Sequence, residues 1–244
     1  MKAIILAGEG RKDKNSFLQD KATIPIKGIP MISYVVNSLK NSNYIDYLFV
    51  VGNQQSLQPI IGKEVDYILQ QQSSMMDNLM EALTYFKEEK QVLIATCDIP
   101  LIHSDVIDHF IEATSQIKAD VYYPIVEKNC CTSYYPDAKR TYVALKEGIF
   151  TGGNIMLMSP AVMEKIQVIA GMLIKYRKNP LQMSRVLGVR FVIKFLMKQL
   201  TIKELEAYIE KRFGIRARAI ISQDPEIAND IDKIEDITLL EKYL

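Results

Sequence analysis

Gly8 and Gly10 flank a glutamate and lead into Arg11, Lys12 and Lys14, directly after the apolar run AIILA. Glycines leaving a buried strand let backbone N–H groups approach phosphate oxygens with no Cβ in the way, and neighbouring cations neutralise the charge. This is chemistry for a phosphate group, although an ordinary strand-to-loop turn beside a solvated charge cluster reads the same way. Two common phosphate loops are excluded by residue: a Walker loop needs GxxxxGK before Ser or Thr, and a dinucleotide fingerprint needs GxGxxG, yet Asp13 stands at the second or third glycine. Covalent acyl transfer is also excluded, because neither His103 nor His109 has a Ser or Cys nucleophile motif nearby. Cys97, Cys130 and Cys131 have neither metal-ligand spacing nor a disulfide framework, so a reducing, cytoplasmic setting is expected.

Such a loop works only if a sheet holds it. Short apolar runs alternate with longer amphipathic stretches through the first half of the chain, the pattern of a parallel sheet covered by helices. Strands are predicted at residues 2–7, 47–51, 65–68, 91–96 and 121–124, and helices at 31–40, 76–89 and 104–115. In the last of these Ser104 is the expected N-cap, with Ile107, Phe110 and Ile111 on one face. A chain of 244 residues can bury one substantial core, so a single α/β domain over 1–244 is expected. The formal net charge of +1 gives no whole-chain case for nucleic acid, and any electrostatic function must be local.

After Pro160 the pattern becomes helical, at residues 164–176, 181–199 and 202–213, before a strand at 217–222 and a closing helix at 237–243. This reads as a helical elaboration over about 161–214. Its apolar stretch 186–202 is interrupted by Arg190, Lys194 and Lys198, which argues against a transmembrane span. With Lys165, Lys175, Arg177, Lys178 and Arg185, these cations make the elaboration strongly basic. Such a face could meet an anionic substrate, an acidic partner or a membrane surface; the expectation is a solvated basic face whose apolar side packs on the domain, with a homodimer surface also open.

The glycine loop is followed by KATIPIKGIPM at residues 21–31. AIILAG, a basic loop and K-A-x-I-P-I-x-G-x-P-M, in that order, resemble the MobA-like members of the nucleotidyltransferase superfamily. Their usual form is LAGG, a loop with Arg, then K-P-L and G-K-P-M. The resemblance implies a three-layer α/β/α, Rossmann-like nucleotide-diphospho-sugar transferase (GT-A) fold with a mostly parallel sheet. It also implies that Leu6, Ala7, Gly8, Gly10 and Arg11 wrap the triphosphate of an NTP and that Lys21 contacts its phosphates. Glu9 departs from the pattern, placing a Cβ and a negative charge where the family has a second glycine.

The agreement continues in order. ATCDIPLI at 95–102 matches the family's D-x-P element and implies Asp98 as a ligand of Mg²⁺, a hard cation that prefers oxygen. PEIANDIDKIEDI at 225–237 resembles the terminal D-V-D-x-P-x-D-L, implying Asp230 as second ligand with Asp232 as alternate; on an extended segment the two share a face. In QQQSSMMDNLMEAL at 70–83, Ser73, Ser74 and Asn78 fall where the family meets base and ribose, although a serine pair also serves as a helix cap. In the segment 140–160, Thr151, Gly152, Gly153 and Asn154 match the border of the acceptor pocket, with Arg140 nearby. Paired glycines in a strand equally signal a bulge.

The implied activity is Mg²⁺-dependent transfer of an NMP from an NTP to a small phosphorylated or hydroxyl-bearing acceptor, with release of pyrophosphate and with Lys21, Arg11 and Asp98 as catalytic residues. Two other readings stay open. Glu9 suits a nucleotide-binding sensor without turnover, and D-x-P stands close to the D-x-D of glycosyltransferases that use nucleotide sugars.

Overall fold

The computed structural model describes residues 1–8, 20–176 and 188–244; Glu9, Gly10 and Arg11 lie outside the described residues, as do Arg177, Lys178 and Arg185. Strand β1 (Lys2–Ala7) is buried at every position after Lys2, as its unbroken apolar run requires of a strand covered on both faces. Ala3, Ile5 and Ala7 share one apolar cluster with α1 (Met31–Lys40), α2 (Gln54–Ile61) and α4 (Ser104–Thr114). Ile4 and Leu6 share another with α3 (Met75–Thr84), α6 (Met163–Tyr176) and α8 (Ile202–Phe213). Helices thus cover both faces of one sheet, in three layers.

A two-residue ribbon, β2 (Pro25–Ile26) with β3 (Ile29–Pro30), stands apart from that sheet. The main sheet consists of β1, β4 (Tyr47–Gly52), β5 (Tyr67–Gln70), β6 (Val92–Thr96), β7 (Val121–Glu127), β8 (Val143–Ala144), β9 (Ile149–Gly152), β10 (Ile155–Met158) and β11 (Ala217–Ser222). Its hydrogen-bonded path is β5-β4-β1-β6-β10-β7-β9-β8, in which β10 and β9 pair with successive stretches of β7, and β11 is parallel to β7. Only β9 and β10 run against the rest. The amino half is parallel because helices make its crossovers; in the carboxyl half β9 and β10 run reversed against β6 and β7, and β8 with β9 forms a local hairpin.

Several boundaries differ from the sequence expectation. β5 starts two residues late because Asp66 caps the edge of β4, its N–H donating to the Leu48 carbonyl (3.0 Å) and its carboxylate accepting from the Leu48 N–H (2.7 Å). α3 stops at Thr84, where Tyr85 and Phe86 turn to pack on Phe49 with ring centroids 5.1 and 5.3 Å away. Ser104 is the first helical residue of α4, and His103 holds the cap with an extended backbone and no side-chain bond. Of the helix expected at 181–199, α7 (Val189–Leu196) is described and residues 181–187 lie outside the described residues. The closing helix is α9 (Ile234–Leu240) followed by a 3-10 turn. Helices α2 and α5 (Lys128–Tyr134) were not expected.

Candidate functional site

β1 and β6 are parallel neighbours, so Gly8 and Asp98 leave the same edge of the sheet side by side. The Cys97 N–H donates to the Leu6 carbonyl (3.2 Å), which fixes the two exits together. β4 and β6 flank β1 on opposite sides, and the crevice at the carboxyl end of such a central strand is where open α/β sheets receive ligands. Gly8 is required there on steric grounds: a Cβ would fall 2.3 Å from Asn78 Nδ2. Asn78 itself is buried and its Oδ1 accepts from the Gln72 N–H (2.5 Å), so it pins the start of α3 beside the glycine. Ser74 caps α3 by accepting from the Asp77 N–H (3.1 Å), and both Ser73 and Ser74 hydroxyls donate to the Asp77 carboxylate (2.8 and 2.6 Å). Those two bonds hold the Asp77 carboxyl below the usual carboxylate range.

Lys21 begins a 3-10 turn (Lys21–Thr23) that is anchored by buried Ala22. The ribbon β2–β3 follows, with Lys27 and Gly28 both at positive φ (47° and 80°), the geometry of a two-residue type I′ hairpin. The G-x-P-M motif is therefore a turn that delivers Met31 into the core and leaves Lys21 at the crevice. Lys21 Nζ lies 2.5 Å from Asp98 Oδ2 and 3.3 Å from Asp232 Oδ1. Burial opposes its charge, yet Asp98 and Asp232 together hold the ammonium above its ordinary pKa.

The third carboxylate arrives from the far end of the chain. Ile231 is fully buried and its N–H donates to the Asp98 carbonyl (2.9 Å), so Asp230 and Asp232 project on either side of a fixed point. Ligand atoms of Asp98, Asp230 and Asp232 lie within 4.8 Å of one another. Asp230 is held by Arg140, whose Nη2 is 2.5 Å from Oδ1, and by Asn154 Nδ2 at 3.3 Å. Burial raises the Asp230 carboxyl above its ordinary pKa, Asp98 and Asp232 add to that, and Arg140 opposes it. Burial likewise pushes the Cys97 thiol far up, which leaves it inert beside the site.

Four buried side-chain atoms lack a hydrogen-bond partner among the described residues: Thr96 Oγ1, Asp98 Oδ1, Arg140 Nε and Asn229 Nδ2. Each belongs to this cluster or lies within two residues of it. Buried polar atoms are normally satisfied, so their concentration here marks a place built for something other than self-association. An all-oxygen donor set with one orphaned carboxylate oxygen fits a hard divalent cation such as Mg²⁺.

The glycines at 152 and 153 have a structural explanation. From Tyr122 to Ile125 β7 advances three residues while its partner strand advances five, from Leu157 to Gly152, so Gly153 and Asn154 form a bulge between β9 and β10. A Cβ on Gly152 would lie 2.3 Å from the Tyr123 hydroxyl, and one on Gly153 would lie 2.8 Å from Pro124 Cγ. The bulge aims Asn154 inward. Its carbonyl accepts from Thr96 N–H (3.0 Å), its N–H donates to the Ile227 carbonyl (2.8 Å) and its amide reaches Asp230, joining three segments of the site. Thr151 is buried in β9. Sequence reasoning placed Arg140 only near the acceptor side; its partnership with Asp230 spans 90 residues and leaves no local signal.

A mostly parallel, helix-covered sheet whose carboxyl edge gathers a glycine turn, a lysine and three carboxylates is the GT-A-like fold of nucleotidyltransferases. The chain belongs to the MobA-like NTP transferase family, whose domain matches residues 3–192. A Thermus thermophilus protein described as a hypothetical transferase is 31% identical, with 97% of this chain and 100% of its own covered at a TM-score of 0.83. CMP:2-keto-3-deoxy-manno-octonic acid synthetase complexed with CTP shares the fold at a TM-score of 0.65 and 12% identity, covering 100% of this chain and 98% of its own. The bifunctional protein GlmU of Acetivibrio thermocellus is 33% identical over 110 residues, which is 44% of this chain and 23% of that relative. The chain thus matches less than a quarter of that curated protein's length.

Proposed function

We propose that this protein is a Mg²⁺-dependent nucleotidyltransferase that moves an NMP from an NTP to a small acceptor and releases pyrophosphate. The observation that carries the reading is the convergence of Lys21, Asp98, Asp230 and Asp232 on one point at the carboxyl edge of the sheet. An acceptor oxygen forms a bond to the α-phosphorus as the bond from that phosphorus to the bridging oxygen breaks, and pyrophosphate leaves with the electron pair. The protein's part is positioning and charge neutralisation. Asp98 and Asp230, with Asp232 as alternate, would hold Mg²⁺, which when bound supplies charge stabilisation on phosphoryl oxygens. Lys21 neutralises phosphate charge, helped by Arg11. Leu6, Ala7, Gly8 and Gly10 would serve the triphosphate, Ser73, Ser74 and Asn78 the base and ribose, and Thr151, Gly152, Gly153 and Asn154 the acceptor.

The test is incubation of the full chain with Mg²⁺, each NTP and a panel of sugar phosphates, read as pyrophosphate release. Release that needs both Mg²⁺ and an acceptor is the expected result. Transfer from a nucleotide sugar with no pyrophosphate, or nucleotide binding without any turnover, contradicts the reading.

A further inference from the structure

Helices α6 and α8 of the elaboration pack their apolar sides on the domain as expected, but α7 leaves apolar side chains in solvent. In α7, Val189, Val192, Ile193 and Leu196 recur at i, i+3, i+4 and i+7, the spacing of a stripe that a surface helix normally turns toward a core. Here Ile193 is 51% exposed and Leu196 72%, and the chain continues into Met197 at 60%. Phe191 instead packs on Tyr208 of α8, the two rings tilted by 39° with centroids 4.9 Å apart. Among the described residues, cations stand near these side chains: Lys194 is tied back to Glu204, while Lys198 and Lys203 are exposed.

Charge is segregated on the scale of the whole chain. Residues 161–214 carry eleven Lys or Arg against four Glu, a net charge of +7, so the remainder carries −6. A two-fold contact between copies through this ridge would set one basic surface against an identical one, which opposes self-association. An anionic surface is complementary to it. Exposed Ile193, Leu196 and Met197 with Lys198 and Lys203 near them combine apolar side chains and cations, as a helix that lies in the interface of a bilayer does. Among the described residues no helix is long and apolar enough to cross a membrane, so the contact is peripheral.

We infer that α7 docks the protein on an anionic lipid surface, with Ile193, Leu196 and Met197 entering the interface and the surrounding cations held to lipid headgroups. The inference is independent of the catalytic reading, since none of these residues belongs to the carboxylate site. The test is co-sedimentation of the full chain with phosphatidylcholine vesicles containing about one third phosphatidylglycerol, against pure phosphatidylcholine. Partitioning at least about tenfold stronger on the anionic vesicles is expected, lost in Ile193→Asp/Leu196→Asp and weakened by high salt. Both substitutions are at exposed positions, and an unchanged melting temperature and pyrophosphate release would show that the fold survives. A second arm compares Lys198→Glu/Lys203→Glu, in which the apolar ridge is intact and anionic preference should fall. Equal binding to both vesicle types, no binding, or a concentration-dependent dimer abolished by the same aspartates would each overturn the inference.

Discussion

Two charged clusters at opposite edges of the sheet show how differently a fold can use ion pairs. At the amino ends of β7 and β11, Asp120 and Arg216 form a one-to-one clamp: Nη2 to Oδ1 at 2.8 Å, Nε to Oδ2 at 3.3 Å and the Arg216 N–H to Oδ2 at 2.8 Å. At the carboxyl ends of β1 and β6, three carboxylates face two cations, and polar atoms of Asp98 and Arg140 are left buried and unpaired. The first cluster is electrostatically complete. The second retains excess negative charge and open valences, which is what a cation and its anionic ligand would complete.

If that contrast is right, mutations at the two edges separate activity from stability. Asp98→Asn is expected to lower turnover by on the order of 10²–10³-fold while leaving the melting temperature unchanged or higher, since it relieves acidic repulsion. Steady-state pyrophosphate release and a thermal melt check both halves. Arg140→Ala leaves Asp230 buried without its counter-charge and is expected to cost about 3 kcal/mol in denaturant unfolding. A loss no larger than that of a surface arginine would show that Asp230 does not depend on it.

Lys21→Met sharpens the comparison further, because Lys21 occupies part of the space between Asp98 and Asp232 that a cation would share. Without nucleotide, Mn²⁺ affinity measured by calorimetry should rise by about threefold or more, whereas NTP affinity should fall about tenfold. Effects of the same sign would contradict the assignment.

The smallest effect belongs to the clamp. Arg216 holds the Asp120 carboxyl below its ordinary range, so its contribution is fully present above the unfolded value of about 3.9 and disappears as pH falls through the folded one. Asp120→Asn should lower the melting temperature by no more than about 4 °C at neutral pH, with the difference vanishing in acid and turnover unaffected. Asp230 has the opposite linkage: its raised carboxyl destabilises the fold when ionised, and that penalty is full above the folded pKa and fades as pH falls through it toward the unfolded value. Carboxyl-carbon NMR titration of the metal-free chain should find Asp230 above and Asp120 below an ordinary aspartate.

The parallel half of the fold was legible because its signals are local. β1, β4, β6 and α1 are unbroken apolar runs or clean amphipathic stretches, and their predicted and observed bounds agree within a residue. α2 escaped notice because its sequence, QQSLQPII, is polar, contains Pro59 and buries only Leu57 and Ile61. The β9–β10 bulge was visible only as two glycines, with nothing to say that the close neighbours are Tyr123 and Pro124 of the chain itself. Within the site, Asp98, Lys21 and Asp230 were read from motifs, and the structure brings all three together. The tie of Asn154 to Asp230 and the pinning of Gly8 by Asn78 depend on contacts between distant segments, which no window of sequence contains.

Whether Asp98 and its neighbours bind a cation together with a nucleotide is tested most directly by equilibrium binding of each NTP to the wild-type chain and to Asp98→Asn, with and without Mg²⁺. Mg²⁺ should strengthen wild-type binding of the preferred NTP by about tenfold, with that increment lost in the variant. An equal Mg²⁺ increment in both proteins would contradict the account.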